Sequence, residues 1–323
     1  MSPMSGVTGA PNQPAPTDFA IETEALSKQY RGTVALSGLT MRVPRGQVFG
    51  FLGPNGAGKT TAVKLLLGLA RPSGGSGRLL GAPLGDRAAR RRVGYLPELF
   101  RYQPWLTARD VLALHADLVH LAGSVRPAAI QETLDEVGLA DRGGDRVQTF
   151  SKGMQQRLGL GVALLGRPEV VFLDEPTSAL DPIGRLDVRS IIHGLRERGT
   201  TVFLNSHLLT EVERVCDEVA IVDHGRVVAA GPLDELLAAS TVKVRVTGLD
   251  AAGRAAVDGF GTVTEDSPWL VLRGCPPDRV PDLVAALVAS GGRVYEVDAG
   301  RESLEERFLA LLGHAPDPSV PAS

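Results

Sequence analysis

Continuous apolar runs recur along the first two thirds of the chain, and helical patterns separate them. Residues 48–52, 170–173 and 200–204 are largely apolar, which is typical of parallel strands buried on both faces of a sheet. Residues 60–70, and a later stretch that ends at Leu165, repeat their apolar positions at helical spacing. This part of the chain is therefore predicted to adopt an α/β fold with a parallel sheet.

A different pattern begins near Ser240. We predict six elements there, in the order strand, helix, strand, strand, helix, strand, over residues 241–247, 251–257, 261–265, 269–273, 279–289 and 293–297. This order predicts a small α+β domain of the ferredoxin-like kind over residues 240–313. The domain contains no catalytic constellation, which favours a packing, dimerising or regulatory role.

A glycine-rich turn separates the strand at 48–52 from the helix at 60–70. It matches G-x-x-x-x-G-K-[ST] and consists of Gly53, Pro54, Asn55, Gly56, Ala57, Gly58, Lys59 and Thr60. A strand before it and a helix after it are the context that a P-loop requires. Its backbone N–H groups would bind a nucleotide's phosphates, and Lys59 would meet the β- and γ-phosphates. Thr60 would coordinate Mg²⁺, and Thr61 would reach the α-phosphate.

Two carboxylates end the apolar run at 170–173. Asp174 and Glu175 follow it directly, and the carboxyl ends of strands face the ligand crevice in an open α/β sheet. Asp174 is therefore predicted to hold Mg²⁺ through water, and Glu175 to polarise the attacking water as a general base. Taken alone, an acidic turn after a strand is also a common structural feature.

A third motif lies between these two sites. It consists of Phe150, Ser151, Lys152, Gly153, Met154, Gln155, Gln156 and Arg157. Ser151 is a candidate N-cap for the helix that follows, and Gly153 would allow close approach of a phosphate. The motif resembles the signature sequence of ATP-binding cassette (ABC) ATPases, in a variant with Lys152 and Met154. The resemblance implies that the signature of one subunit closes over ATP on the P-loop of a second copy.

Further family elements follow in the expected order. Residues 178–181 resemble the loop that crosses the dimer interface, and His207 resembles the histidine that contacts the γ-phosphate. Tyr30 lies where family members place the aromatic residue that stacks on adenine. Without the resemblance, His207 would be interpreted as a surface or capping histidine, and Tyr30 as an ordinary residue at a strand end. Glu98 stands where most members have a glutamine that touches Mg²⁺, and a glutamate can still be a ligand.

The resemblance implies a P-loop NTPase cassette with a helical signature subdomain over residues 19–239. Residues 1–18 are predicted to be a disordered leader and residues 314–323 a disordered tail. The segment 303–309 resembles the closing helix of ATPase subunits from multidrug and antibiotic exporters, including the daunorubicin-resistance type. We therefore expect an ATP-binding and ATP-hydrolysing subunit of an exporter of drugs, antibiotics or lipids, which drives a separate membrane permease.

Composition agrees with this expectation. The chain has 323 residues, enough for two domains, and a net charge of −3, which argues against a nucleic-acid partner. Its two cysteines form no metal-binding or disulfide pattern. No apolar run is long enough to span a bilayer, and no signal peptide is evident. The predicted location is cytoplasmic, on the inner face of the membrane through the permease.

Two other functions stay open at this stage. One is a soluble ABC ATPase that acts on nucleic acid or on the ribosome. Such proteins usually carry two cassettes or a long coiled-coil insertion, and this chain shows neither feature. The other is a nucleotide-gated regulatory protein without turnover, which the presence of both Glu175 and His207 disfavours.

Overall fold

The computed structural model describes residues 18–178, 180–237, 240–249, 251–301 and 303–313. The predicted tail, and the predicted leader apart from Asp18, lie outside the described residues, as does Ala179 of the predicted interface loop. The chain divides into two compact units. One unit runs to Leu208 and resumes over Arg214–Ala230, and the other contains Leu209–Glu213 and continues from Gly231. The division falls shortly before the predicted boundary near Ser240.

The described elements follow one another along the chain in a mixed α/β order. Up to the signature helix they are β1 (Phe19–Tyr30), β2 (Thr33–Pro44), β3 (Val48–Leu52), α1 (Lys59–Leu66), β4 (Gly74–Leu79), β5 (Ala82–Pro83), α2 (Arg87–Arg90), β6 (Val93–Leu96), α3 (Ala108–Leu118), α4 (Arg126–Glu136) and α5 (Lys152–Leu164). The next are β7 (Val170–Asp174), α6 (Pro182–Glu197), β8 (Thr201–Asn205), α7 (Leu209–Val215), β9 (Glu218–Asp223), β10 (Arg226–Pro232) and α8 (Leu233–Leu236). The last are β11 (Ser240–Thr247), α9 (Ala251–Val257), β12 (Thr262–Asp266), β13 (Trp269–Arg273), α10 (Val280–Ala289), β14 (Arg293–Arg301) and α11 (Leu304–Leu311).

A six-stranded sheet forms the centre of the first unit, in the order β10-β9-β3-β8-β7-β6. Strand β3 pairs in parallel with β8 and β9, and β7 pairs in parallel with β6 and β8. All residues of β3, β7 and β8 are buried. Phe203 contacts Phe49, Phe51 and Phe172, with ring centroids 5.0–5.8 Å apart. The apolar runs are therefore buried parallel strands, as the sequence predicts.

Two further layers complete the first unit. The second sheet is antiparallel and has the order β2-β1-β4-β5. Tyr30 is the last residue of its strand β1. Helices α3, α4 and α5 pack against one another, and each has a fully buried leucine, Leu112, Leu134 and Leu158 respectively. Helix α3 begins with a capping box, in which Thr107 and Asp110 bond each other's backbone N–H groups. These three helices form the predicted helical signature subdomain.

The second unit contains an antiparallel sheet in the order β12-β13-β11-β14. Together with α9 and α10, the sheet has the β-α-β-β-α-β arrangement of a ferredoxin-like domain, which confirms that prediction. Val242, Val244 and Leu272 from the sheet share one apolar cluster with Leu283 and Leu287 of α10. The unit therefore has a core of its own.

Truncating Leu287 to alanine should destabilise this second unit. The side chain is fully buried in the cluster, and removing a buried leucine costs about 2–5 kcal/mol of unfolding free energy.

The measurement uses the two tryptophans of the chain, Trp105 in the first unit and Trp269 in the second. In a Trp105→Phe background, urea unfolding followed by fluorescence reports on the second unit. Val288→Ala is the control, because Val288 is 56% exposed on the same helix. Equal midpoints for the two variants would contradict this core assignment.

One helix is shorter than its apolar pattern predicts. The periodicity extends to Ala70, but α1 ends at Leu66. Gly68 takes a positive φ of +68°, and a Cβ atom there would lie 2.7 Å from the Cα of Gly85. The backbone therefore turns out of the helix before the apolar pattern ends.

In the described ranges, no helix combines the length and apolar character that crossing a bilayer requires.

Candidate active site

The glycine-rich turn between β3 and α1 is held in place by close backbone packing. A Cβ atom on Gly53 would lie 2.2 Å from the carbonyl oxygen of Val222, and one on Gly58 would lie 2.3 Å from that of Ala35. Gly58 also has a φ of +96°, which side chains rarely adopt. Ala57 is buried in the apolar core, whereas Asn55 and Gly56 are exposed. The turn is thus anchored at both ends and open between them.

Helix α1 begins directly after this turn. Gly58 caps it, and no side chain of the described residues accepts a hydrogen bond there. The first N–H groups of a helix have no partners within the helix, and they carry partial positive charge. Thr60 is exposed and Thr61 half-buried at this end, and Pro54 is half-buried in the turn. The arrangement suits an anion such as a nucleotide phosphate.

Lys59 provides a positive charge at this helix terminus. Its Nζ donates to the carbonyl oxygens of Gly53, at 2.6 Å, and Pro54, at 3.1 Å. Burial lowers the pKa of Lys59, and the carboxylates of Glu175, Asp174 and Glu98 oppose that change. The ammonium group therefore lies within electrostatic reach of all three acidic residues that the sequence places in the site.

The carboxylates of Asp174 and Glu175 lie at the carboxyl end of β7 and are buried, with 4% and 9% exposure. Burial raises the pKa of Asp174, and the negative charges of Glu98 and Glu175 raise it further. A hydrogen bond from Asn205 Nδ2 to Asp174 Oδ1 and the charge of Lys59 act in the opposite direction. Glu98 itself is exposed, just beyond the end of β6.

Glu175 adopts a backbone conformation that is unusual for a residue with a side chain. Its φ is +54°, and its N–H donates to the carbonyl oxygen of Asn205 at 2.8 Å. Ser178 Oγ donates to the Glu175 carbonyl oxygen at 3.1 Å. The Glu175 Oε2 atom lies 2.7 Å from Nδ1 of His207, which follows β8. The turn thus holds a buried carboxylate against a partly exposed imidazole.

The charges of this site suit a divalent cation. Lys59 faces three carboxylates, and the charges of Glu98 and Glu175 add to the burial that raises the pKa of Asp174. Among the described residues, no group of three His, Cys, Asp or Glu side chains could hold a metal ion by itself. Mg²⁺ in ATPase sites needs no such group, because it takes ligands from one or two carboxylates and from the phosphates. Asp174 and Thr60, with Glu98 nearby, therefore fit Mg²⁺ that arrives with a nucleotide.

The signature motif begins helix α5. Ser151 is its N-cap and accepts a hydrogen bond from the Met154 N–H at 3.2 Å, as the sequence predicts. A Cβ atom on Gly153 would meet Leu180 Cδ2 at 3.7 Å, an ordinary contact distance. Crowding within the described chain therefore does not require glycine at this position. No hydrogen bond joins Ser151 to the glycine-rich turn in the part of the chain that the structure describes.

Tyr30 lies at the end of β1 with 44% of its surface exposed. The Nζ atom of Lys28 lies 4.8 Å from its ring centroid. The exposed ring of Tyr30 leaves room for a flat group to stack on it.

The predicted interface loop follows Glu175 along the chain. In this loop Leu180 is buried, and Asp181 caps α6 by accepting a hydrogen bond from the Gly184 N–H at 2.9 Å.

Sequence reasoning missed two residues that hold the site together. Asn205 bonds both Asp174 and Glu175, and Gln156 of α5 donates to the carbonyl oxygen of Pro176 at 2.9 Å. A signal for Asn205 does exist in the sequence, because it is a polar residue that ends an apolar strand, as Asp174 does. The pairing of β7 with β8 is needed to see that these two ends are neighbours.

Comparison with known proteins identifies the family. Residues 36–178 match the family model described as ABC transporter. The chain is 42% identical over 304 residues to an ABC transporter ATP-binding protein of Nostoc sp., which covers 91% of this chain and 90% of that protein. The chain belongs to the ABC transporter family. As a member of this family, it is an ATP-binding subunit that hydrolyses ATP.

Two further ABC proteins agree with this conclusion. The chain is 35% identical over 311 residues to the daunorubicin/doxorubicin resistance ATP-binding protein DrrA of Streptomyces peucetius, covering 92% of this chain and 94% of that one. A solved structure of the ATP-binding subunit of an ABC transporter matches with a TM-score of 0.62 and 32% identity. That match covers 67% of this chain and 91% of the solved chain. The predicted fold class, a P-loop cassette with an additional C-terminal domain, is confirmed.

Proposed function

We propose that this ABC ATPase drives a separate membrane permease, as part of an exporter of drugs, antibiotics or lipids. The observation that carries the ATPase part of the proposal is that Lys59, Asp174, Glu175 and Glu98 all lie at or just beyond the carboxyl ends of parallel strands in one sheet. The charges of the three carboxylates act on Lys59 there. Similarity to a drug-resistance ATP-binding protein favours export. Residues 19–239 would form the cassette and 240–313 an accessory domain. The subunit would lie at the cytoplasmic face of the membrane through its permease.

The P-loop would bind ATP by its backbone and by one ammonium group. Backbone N–H groups of the glycine-rich turn and of the first residues of α1 would contact the phosphates, and Lys59 would exchange its two carbonyl partners for β- and γ-phosphate oxygens. The Thr61 hydroxyl would reach the α-phosphate. Adenine would stack on the exposed ring of Tyr30.

The metal ion would be held by Thr60 and Asp174, with Glu98 as a further ligand. Bound Mg²⁺ supplies charge neutralisation for the phosphates during transfer. The chain's own contribution is to fix the two ligand groups, one at the start of α1 and one at the end of β7. Direct contact of Glu98 with the metal is part of this proposal.

Glu175 would act on the attacking water. Its carboxylate is buried, and hydrogen bonds to the N–H and carbonyl oxygen of residue 175 hold the backbone from which this side chain extends. The carboxylate can therefore accept a proton at a defined position. His207 approaches it through Nδ1, which leaves Nε2 as the ring nitrogen for the γ-phosphate. Loss of the γ-phosphate would then change the surroundings of the same histidine that touches Glu175.

We further propose that two copies of the chain enclose ATP between them. Ser151 and Gly153 stand at a helix N-terminus that no P-loop residue of the described chain occupies, and a Cβ atom on Gly153 would meet Leu180 only at an ordinary contact distance of 3.7 Å. A phosphate bound to a second copy would fit this terminus. The predicted interface loop at 178–181 lies between Glu175 and α6.

ATP should therefore convert a monomer into a dimer when hydrolysis is blocked. In a Glu175→Gln background, we expect light scattering to give the monomer mass without nucleotide and twice that mass with ATP and Mg²⁺. Adding Ser151→Arg should prevent the change, because it places bulk and charge at the proposed contact. An unchanged mass with ATP would reject dimer closure by the isolated subunit.

Export itself is tested in cells. We would express the chain together with a candidate membrane permease and measure daunorubicin accumulation by fluorescence. The proposal expects lower accumulation with the wild-type chain than with Glu175→Gln. Equal accumulation would remove daunorubicin-type drugs as cargo, and the same strains would then be compared for resistance to peptide antibiotics.

A further inference from the structure

Asn205, the last residue of β8, contacts both acidic residues at the end of β7. Its Nδ2 donates to Asp174 Oδ1, and its carbonyl oxygen accepts from the Glu175 N–H at 2.8 Å. Asn205 is 3% exposed and Asp174 4% exposed. Because water does not compete at these buried atoms, a hydrogen bond to a carboxylate is stronger here than at the surface.

The pairing of β7 with β8 brings the side chains of Asp174 and Asn205 together. Asp174 and Asn205 are direct partners in the parallel pairing of β7 with β8. The amide therefore reaches the carboxylate across one strand spacing, without a loop that could move between them. The amide bonds Oδ1 of the carboxylate, and Oδ2 accepts no hydrogen bond from the described residues, which leaves it for another partner.

Packing alone does not explain an amide at this position. The Oδ1 atom of Asn205 is buried and accepts no hydrogen bond from the described residues. Burying an unsatisfied polar atom is unfavourable, and an apolar side chain of similar volume would avoid that cost. The Nδ2 hydrogen bond to Asp174 is the compensating contact, which indicates that the orientation of the carboxylate is what Asn205 provides.

We propose that Asn205 is a positioning residue for Mg²⁺, which acts by fixing the Asp174 carboxylate so that Oδ2 serves the metal. This inference rests on the proposed metal role of Asp174. Groups that orient a metal-binding side chain typically change metal affinity or activity 10- to 100-fold when they are removed. The proposal therefore concerns the Mg²⁺-dependent part of ATP binding, and it leaves direct phosphate contacts to the P-loop.

Two substitutions of Asn205 distinguish the loss of its hydrogen-bond donor from the loss of its side-chain volume. Asn205→Leu keeps most of the side-chain volume and removes the donor, whereas Asn205→Ser keeps a donor and loses volume. Thr201→Val is the matched control, because Thr201 is a buried hydrogen-bonding residue at the opposite end of β8, where it accepts from the Gly46 N–H. Circular dichroism and thermal unfolding would confirm that each variant is folded.

The main readout is ATP binding without turnover. In a Glu175→Gln background, calorimetry would measure ATP affinity in EDTA and in Mg²⁺ for each variant. We expect equal affinities in EDTA, and an Mg²⁺-dependent gain that is at least about tenfold smaller for Asn205→Leu. Asn205→Ser should lose less of the gain than Asn205→Leu, and Thr201→Val should lose none. With Glu175 intact, Asn205→Leu should also need more Mg²⁺ for half-maximal ATPase activity.

The possible outcomes are distinct. If Asn205→Leu keeps the Mg²⁺ dependence of the wild type, or keeps more of it than Asn205→Ser, then Asn205 has a packing role and the inference is overturned. If the wild-type chain itself binds and hydrolyses ATP without Mg²⁺, the proposed function of Asp174 fails instead. A loss confined to the EDTA measurement would place Asn205 with the phosphate contacts and would also overturn the inference.

Discussion

Replacing Glu175 by glutamine should slow ATP hydrolysis by about 10²- to 10⁴-fold, the usual range for a lost general base. The amide has nearly the same shape, so the backbone hydrogen bonds of residue 175 to Asn205 and Ser178 should persist. The substitution removes the proton acceptor and one negative charge, and it leaves the phosphate-binding groups unchanged. ATP affinity should therefore stay within a few-fold of the wild-type value, and single-turnover hydrolysis should show the loss directly.

The control for this variant is a glutamate at the other end of β7. Glu169 immediately precedes β7, at the end away from Glu175, where it forms ion pairs with Arg45 and Arg92. Glu169→Gln makes the same chemical change outside the site and should keep near-normal turnover. Turnover close to wild type in Glu175→Gln would remove Glu175 from the catalytic role.

Replacing Lys59 by alanine should abolish most ATP binding. The ammonium group would contact two phosphates, and a hydrogen bond to a charged group contributes about 1.5–3 kcal/mol. We expect at least roughly 100-fold weaker ATP affinity, since about 1.4 kcal/mol corresponds to a factor of ten. Among the described residues, Lys59 donates only to two carbonyl oxygens of the P-loop, so its loss should change thermal stability little.

Lys64→Ala provides the comparison for Lys59→Ala. Lys64 is exposed on the same helix α1 and has the same charge, but it lies in the last turn and not the first. Its removal tests whether a positive charge anywhere on α1 is enough to bind ATP. If the two variants bind ATP equally well, Lys59 has no specific phosphate role.

The motifs could be predicted because each is a local arrangement. Gly53 through Thr60 are consecutive, and the turn they form follows from glycine conformations and from the start of a helix. The N-cap role of Ser151 is local as well, because it depends on an N–H three residues ahead. The roles of Tyr30, Glu98, Ser151 and Gly153 toward ATP remain predictions, because they concern a ligand and a second copy of the chain.

The end of α1 was less predictable. Apolar spacing continues through Ala70, yet the helix ends at Leu66 because Gly68 turns the chain against Gly85. That close approach joins residues from different elements. A periodic pattern records which side chains are buried, and residues beyond a helix end can be buried too.

The sequence by itself determined the P-loop, the acidic end of β7, the signature helix and the order of elements in the second unit. Each depends on residues that are close along the chain. Only the tertiary structure decided that β8 lies between β3 and β7, and therefore that Asn205 bonds Asp174 while His207 approaches Glu175. The physical reason is that parallel strands pair across long crossovers, so neighbours in the sheet are distant in sequence. Buried apolar strands look alike to a sequence pattern, and their order is set by how the helices and the whole core pack.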